Sequence, residues 1–311
     1  MGTSIDLVAA AAAIISVSSS APSQAVFVCL LPALISFHGF KTRKFTFAAA
    51  MLSFVSGVLL LSSGFQYFCS VLTFYVLKSA LILYIWRRKL YLGGSTHPYP
   101  PLDVCRIIVK GLGPALISTC KVLLTRGHSA NPICISCRIA DVAFLSYVAC
   151  CAGHGFSTEL ASVRFAKPRL ITTWRSVLPG VSGGVTPLGT IASALGGGII
   201  GIAFCAVLTL SAVREWPLTE AASNCFKFHL ILGMLAGLLG SCFSSLLGAL
   251  LMYSGVDPVT NKVVTHPNGA STEHITGIDL LNSTQMSFFA CSLTSASFAV
   301  VAWFKFAYFP I

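Results

Sequence analysis

Between Lys167 and Gly189 the chain reads KPRLITTWRSVLPGVSGGVTPLG, a basic and glycine-rich segment. Lys167, Arg169 and Arg175 supply cations, while Gly180, Gly183 and Gly184 supply backbone N–H groups that no Cβ shields. That combination suits an anionic headgroup or a phosphate. The same residues also describe an ordinary basic loop leading into a helix. Composition alone leaves both readings open.

The elements that must position this loop read as membrane. Of 311 residues, 55% are hydrophobic and only 9% charged, with a mean hydropathy of +0.84. A soluble domain carries roughly 25% charged residues, so this chain cannot clothe a water-facing surface. The expected fold is an all-α, polytopic helix bundle forming one transmembrane domain over residues 1–311. Apolar segments of spanning length run at 46–64, 66–86, 106–124, 135–152, 188–213, 228–253 and 287–309. Residues 5–37 add one span, or two short ones broken near Ser20 to Pro22, which makes eight or nine. No Lys or Arg precedes Lys41, so this region lacks the basic signature of a secretory or transit peptide and is expected to stay uncleaved.

Charge orients the bundle. Lys41, Arg43 and Lys44 precede one span, and Arg87, Arg88 and Lys89 follow the next, so both clusters face one side. Counting onward puts Arg164, Lys167, Arg169 and Arg175 there too. The positive-inside bias then makes the polar segments 87–105, 153–187 and 254–286 cytoplasmic. The two longest, 153–187 and 254–286, share a face and are expected to converge. The sequon Asn282-Ser283-Thr284 would remain unglycosylated on that side. The net charge of +11 is accounted for by this bias and by anionic lipid, so no nucleic-acid partner is expected.

Other residues with chemical potential are weaker signals. Twelve cysteines are scattered through apolar runs, and Cys134 and Cys137 form a CxxC with no second half. Buried small hydrophobes describe them better than zinc ligands. Lys78, Lys110, Lys121, Arg138 and Asp141 fall within or near the bilayer, where a central charge costs about 2.5–3.5 kcal/mol. Arg138 and Asp141, at i and i+3, are spaced to pair on one helix face. Lys78 has no local partner, and either faces a site or snorkels to the interface. Small residues recur every three or four positions in 188–202 and 233–249, as close helix packing in lipid requires. No Walker-type phosphate loop, nucleophile elbow, zinc-protease or EF-hand pattern occurs.

With these elements placed, longer motifs become legible. Pro168-Arg-Leu-Ile-Thr-Thr-Trp174 is followed by Pro179-Gly-Val-Ser-Gly-Gly-Val-Thr186, and later by Gly240-Ser-Cys-Phe-Ser-Ser-Leu-Leu-Gly-Ala249. The run from Tyr253 to Gly277, with SGVD and HITG, completes the order. From His38-Gly39 onward the chain resembles the transmembrane protein 19 family (domain of unknown function 92). That family includes the phytyl-phosphate kinase of plant vitamin E synthesis. The resemblance implies an integral multi-pass enzyme of an ER-like endomembrane or plastid envelope. It would move phosphate from CTP or ATP, with Mg²⁺, onto an isoprenoid or other membrane lipid phosphate.

Residue by residue, the resemblance makes Lys167, Arg169, Thr172, Gly180, Ser182, Gly183, Gly184 and Thr186 the phosphate-side candidates. Glu159 and His154 become the catalytic candidates, and Ser244, His274 and Asp279 those of the second polar region. Four positions depart from the family pattern. His154 and Ser244 stand where acids are expected, Ser182 stands for Asn, and the last loop carries Ala270 to Ile275 and Asn282-Ser283 in place of its usual polar residues. A hard dication wants carboxylate oxygens. Three readings therefore stand: a lipid-phosphate kinase, a relative that binds lipid phosphate without turnover, and a small-molecule transporter using the intramembrane charges.

Overall fold

The computed structural model describes residues 21–91, 102–127, 135–161, 167–212, 220–258, 262–266 and 272–308. The expectation for residues 5–20 lies outside them. The helices are α1 (Ala21–Lys41), α2 (Phe47–Ser63), α3 (Phe65–Tyr91), α4 (Val104–Ile107), α5 (Gly113–Gly127), α6 (Ile135–Ala161), α7 (Pro187–Ala212), α8 (Glu220–Leu251) and α9 (Ser283–Tyr308). A π-helical turn, Ile108–Leu112, joins α4 to α5. Among the described residues six helical stretches are long and apolar enough to cross a membrane, and two shorter apolar helices, Val26–Lys41 and Phe47–Ser63, accompany them. Six and two make eight, within the expected count.

Local sequence explains three of the helix starts. The Thr46 hydroxyl accepts from the Ala49 N–H and starts α2, and Thr186 with Pro187 starts α7 as cap and first residue. Asn282 begins α9 with a reciprocal cap. Its side-chain oxygen accepts from the Thr284 and Gln285 N–H groups, while the Gln285 side chain accepts from its own N–H. The sequon is thus a helix start.

Packing follows the small residues. Gly197 and Gly201 on α7 meet Gly233, Gly237 and the His229 backbone on α8. A Cβ on Gly197 would stand 2.9 Å from the Gly237 Cα, and one on Gly201 2.8 Å from the His229 carbonyl carbon. Gly153 on α6 abuts the same Gly237, where a Cβ would lie 2.7 Å from its Cα. The two small-residue stripes thus pack α7 on α8 as expected, and α6 joins them through Gly153. The buried centre adds Tyr67 on α3, whose ring meets Phe144 edge-on at 4.7 Å, and Phe204 of α7 at 5.7 Å.

The π turn has a visible cause. The Tyr147 hydroxyl of α6 donates to the Val109 carbonyl at 2.8 Å, through space that Gly113 leaves open. A side chain inserted into the helical ladder widens it, and Lys110 rides on the widened turn.

Three expectations are corrected here. Segment 153–187 does not begin as a loop, because α6 continues to Ala161 and carries Gly153, His154 and Glu159 in its last turns. Gly153 serves helix packing, not a turn. Segment 254–286 is not irregular either. It holds a three-stranded antiparallel sheet in the order β4-β3-β5, with β3 at Ser254–Asp257, β4 at Lys262–Val264 and β5 at Glu273–Thr276. Short alternating strands inside a polar run give little signal beside the flanking apolar helices. Nor do Arg138 and Asp141 pair. Asp141 accepts from the Lys121 ammonium of α5 at 2.9 Å and from the Tyr67 hydroxyl, whereas Arg138 lies 5.7 Å from the Phe306 ring centre. A partner on a neighbouring helix supplied better geometry than the i+3 neighbour.

Candidate functional site

The basic motif folds as a compact loop on the end of α8. Strand β1 (Arg169–Leu170) pairs antiparallel with β2 (Gly184–Val185), and Trp174 closes the turn between them by donating its N–H to the Leu170 carbonyl at 2.8 Å. Trp174 takes a left-handed φ of 56° and is 66% exposed. Gly183, at φ 82°, lies so close to α8 that a Cβ would stand 2.8 Å from both the Ala249 Cα and the Ser245 carbonyl oxygen. Leu170 and Val181 bury against Ala249, with Val263 and Ile275 of the sheet packed on the same cluster.

The two polar regions do converge. The Ser182 N–H donates to the Ser254 hydroxyl at 3.0 Å, and Gly180 faces the Val263 side chain. The sheet is tied to α8 in turn by Thr276, whose hydroxyl donates to the Ala249 carbonyl at 2.8 Å. Gly277, at φ 75°, passes the Met252 backbone with room for no side chain, since a Cβ would stand 2.7 Å from its carbonyl carbon.

The phosphate-side candidates divide into two sets. Lys167, Arg169, Thr172 and Gly180 are exposed on the outer face of the loop. Ser182, Gly183 and Gly184 are half-buried, and Gly184 donates its N–H to the Val181 carbonyl at 3.2 Å. Thr186 is buried and caps α7. Gly189 nests beside it, where a Cβ would lie 2.7 Å from the Ser157 hydroxyl near the end of α6. The loop thereby docks against the turns that carry His154 and Glu159.

Beside those turns three helices bring basic groups together. Lys78 of α3 and Lys110 of the π turn lie within electrostatic reach of each other. Gly155 of α6 leaves the space the Lys78 ammonium occupies, and a Cβ there would stand 3.4 Å from Nζ. His154 lies within electrostatic reach of both lysines, and Glu159 within reach of Lys78. All four side chains are half-buried. The sequence marked Lys78 and Lys110 as membrane charges without joining them. The available signal was two such lysines, each with no acid at helical spacing.

The second-region candidates scatter. Ser244 is 2% exposed, and its hydroxyl has no hydrogen-bond partner among the described residues. It lies one turn from Gly240, which meets Cys150 of α6, and one turn from Gly248, which meets the Ser182–Gly183 backbone. His274 is exposed and engaged with the Gly277 carbonyl at 2.7 Å, its ring 5.3 Å from that of Tyr253. Asp279 is exposed and sits 3.3 Å from His266. An apolar cavity of about 50 Å³ borders the cluster. Its walls include Pro32, Leu60, Phe68, Tyr75 and Gly111, and the last two neighbour Lys78 and Lys110 on their helices.

No solved structure matches the chain. It is similar to Protein PGR of Arabidopsis thaliana, 26% identical over 279 residues, covering 87% of this chain and 93% of that one. It is also similar to an uncharacterized membrane protein of Methanocaldococcus jannaschii, 26% identical over 181 residues, covering 57% of this chain and 67% of the other. The model of the family Integral membrane protein DUF92 matches residues 30–295. The chain is a multi-pass member of that integral membrane family.

Proposed function

We propose that the chain binds an isoprenoid or other membrane lipid phosphate, with the phosphate at Lys78 and Lys110 and the tail leaving past the Pro32–Gly111 cavity into the bilayer. The observation that carries this reading is that Lys78 and Lys110 lie within electrostatic reach of each other in the half-buried interior, two cations beside the single acid Glu159. Like charges at short range repel strongly where water is scarce. A bound phosphate monoester relieves that repulsion and accepts hydrogen bonds from both. The basic loop, with Lys167, Arg169 and Arg175, belongs on the cytoplasmic side in this reading and draws the headgroup in.

Phosphoryl transfer from CTP or ATP is the second reading, favoured by Glu159 beside the lysines. The residues present do not fit a carboxylate-held Mg²⁺. Glu159 is the one acid of the cluster, and Ser244 offers a buried hydroxyl where the resemblance implies an aspartate. The transport reading keeps Lys78 but not the Arg138–Asp141 pair, because Asp141 and Arg138 are engaged by Lys121, Tyr67 and Phe306.

The test uses purified full-length protein in nanodiscs with geranylgeranyl monophosphate and, as control, the parent alcohol. Binding is expected for the phosphate and not the alcohol. Lys78→Met with Lys110→Met should weaken it at least about tenfold, or about 1.4 kcal/mol. Equal binding of alcohol and phosphate, or undiminished binding by the double variant, rejects the proposal. Adding Mg²⁺ and CTP or ATP to the same samples tests turnover. His154→Asp with Ser244→Asp is expected to raise turnover if the missing acids are what limits it.

A further inference from the structure

We infer that Cys205, Cys225 and His229 form a binding site for a thiophilic metal ion, Zn²⁺ or Cu⁺, at the far end of the α7–α8 seam. Their ligand atoms all lie within 4.8 Å of one another. The site is separate from the lipid-phosphate cluster: Cys205 lies in the last third of α7, and Cys225 and His229 in the first third of α8.

The seam explains why these residues meet. Gly197, Gly201 and Cys205 follow one another at four-residue intervals on α7, as do Cys225, His229, Gly233 and Gly237 on α8. Residues so spaced share a helix face. The glycines bring the two backbones together, and the ligands continue the same two stripes. Gly201 packs directly on the His229 backbone. Donor positions are therefore fixed by backbone packing and not by long, mobile side chains.

The distances match a coordination sphere. Sγ of Cys205 and Sγ of Cys225 are 3.6 Å apart, and Sγ of Cys225 is 3.4 Å from Nδ1 of His229. Bonds of about 2.3 Å to sulfur and 2.0–2.1 Å to nitrogen at tetrahedral angles place sulfurs about 3.8 Å apart and sulfur about 3.6 Å from nitrogen. At 3.6 Å the two thiols are in hydrogen-bond contact, and an ion could take the place of that proton with little change in their spacing. The His229 ring is stacked on Phe204 at 5.5 Å, and coordination through Nδ1 would exchange its 2.7 Å contact with the Cys225 carbonyl oxygen for the ion.

Chemistry then selects the ion. Two sulfurs and an imidazole with no carboxylate favour Zn²⁺ or Cu⁺ over Mg²⁺ or Ca²⁺. Binding releases the two thiol protons to solvent, and two thiolates cancel the charge of a dication, which suits a site inside a bilayer. Three protein ligands leave one position of a tetrahedron for water or a further ligand.

The experiment is elemental analysis of the full chain purified under reducing conditions, with Co²⁺ loading as a spectroscopic probe. Stoichiometric zinc or copper is expected in the native protein and in Cys242→Ser, a control outside the cluster. Cys205→Ser and Cys225→Ser should lose it while keeping native helical circular dichroism. Cobalt in the native protein should show thiolate charge-transfer absorption, a readout that does not depend on any variant folding. Metal-free protein that gives no such band overturns the inference. So does unchanged metal content in folded Cys205→Ser, or a Cys205–Cys225 disulfide found by peptide mapping of the native protein.

Discussion

Two half-buried lysine sites in this bundle are built in opposite ways. Lys121 of α5 is closed: Asp141 accepts from its ammonium through both carboxylate oxygens at 2.9 Å, and the Tyr67 hydroxyl accepts from it at 2.7 Å. Lys78 of α3 instead meets Lys110, with His154 adjacent and Glu159 in reach. The first arrangement holds every charge it needs for three helices to stay together. The second gathers two cations beside one acid, which is where the proposed phosphate would sit. A membrane interior penalises both arrangements, and they differ in how fully the chain itself supplies the counter-charge.

Breaking the closed site should have the largest effect on stability. Asp141→Leu leaves Lys121 without its acid, and thermal unfolding in detergent should show a loss of about 2–4 kcal/mol, less than a fully buried pair because both side chains are partly accessible. An unchanged melting temperature would mean that the pair is incidental. At the other end, Gly183→Ala forces a Cβ against Ala249 and Ser245 from a left-handed backbone. A loss of about 2 kcal/mol is expected, together with faster proteolysis of the 167–186 loop. Wild-type stability there would show that the loop does not depend on its seat on α8. Lys78→Met sharpens the contrast most with the smallest shift. Removing one of two repelling cations should leave stability within about 0.5 kcal/mol or raise it, while lipid-phosphate binding falls. A collapse like that of Asp141→Leu would place Lys78 among the structural charges.

Much of the architecture was written locally. Spans 46–64 and 188–213 nearly coincide with α2 and α7, because hydrophobic length is a property of one segment. The turn chemistry at Thr186-Pro187 and Asn282 was equally present in the sequence. The convergence of the two polar regions followed from charge topology, and the Ser182–Ser254 contact realises it. What misled was distance along the chain. Arg138 sits three residues from Asp141, whereas Lys121 sits on another helix, and only the packing of α5 on α6 makes Lys121 the better partner. The extension of α6 past Gly153 was hidden for a related reason: a polar, glycine-bearing turn reads as loop until its neighbours are known.

By itself, then, the sequence determined a basic, polytopic helix bundle, its motif loops, its caps and its small-residue stripes, since each depends on neighbours a few residues away. Tertiary structure alone decided which charges face one another. Lys78, Lys110, His154 and Glu159 come from three helical segments, and Cys205, Cys225 and His229 from two. Helix periodicity gives each residue a face, but the partner across that face depends on how glycine seams and the Tyr147-wedged π turn set the helices against each other. No local pattern encodes that register.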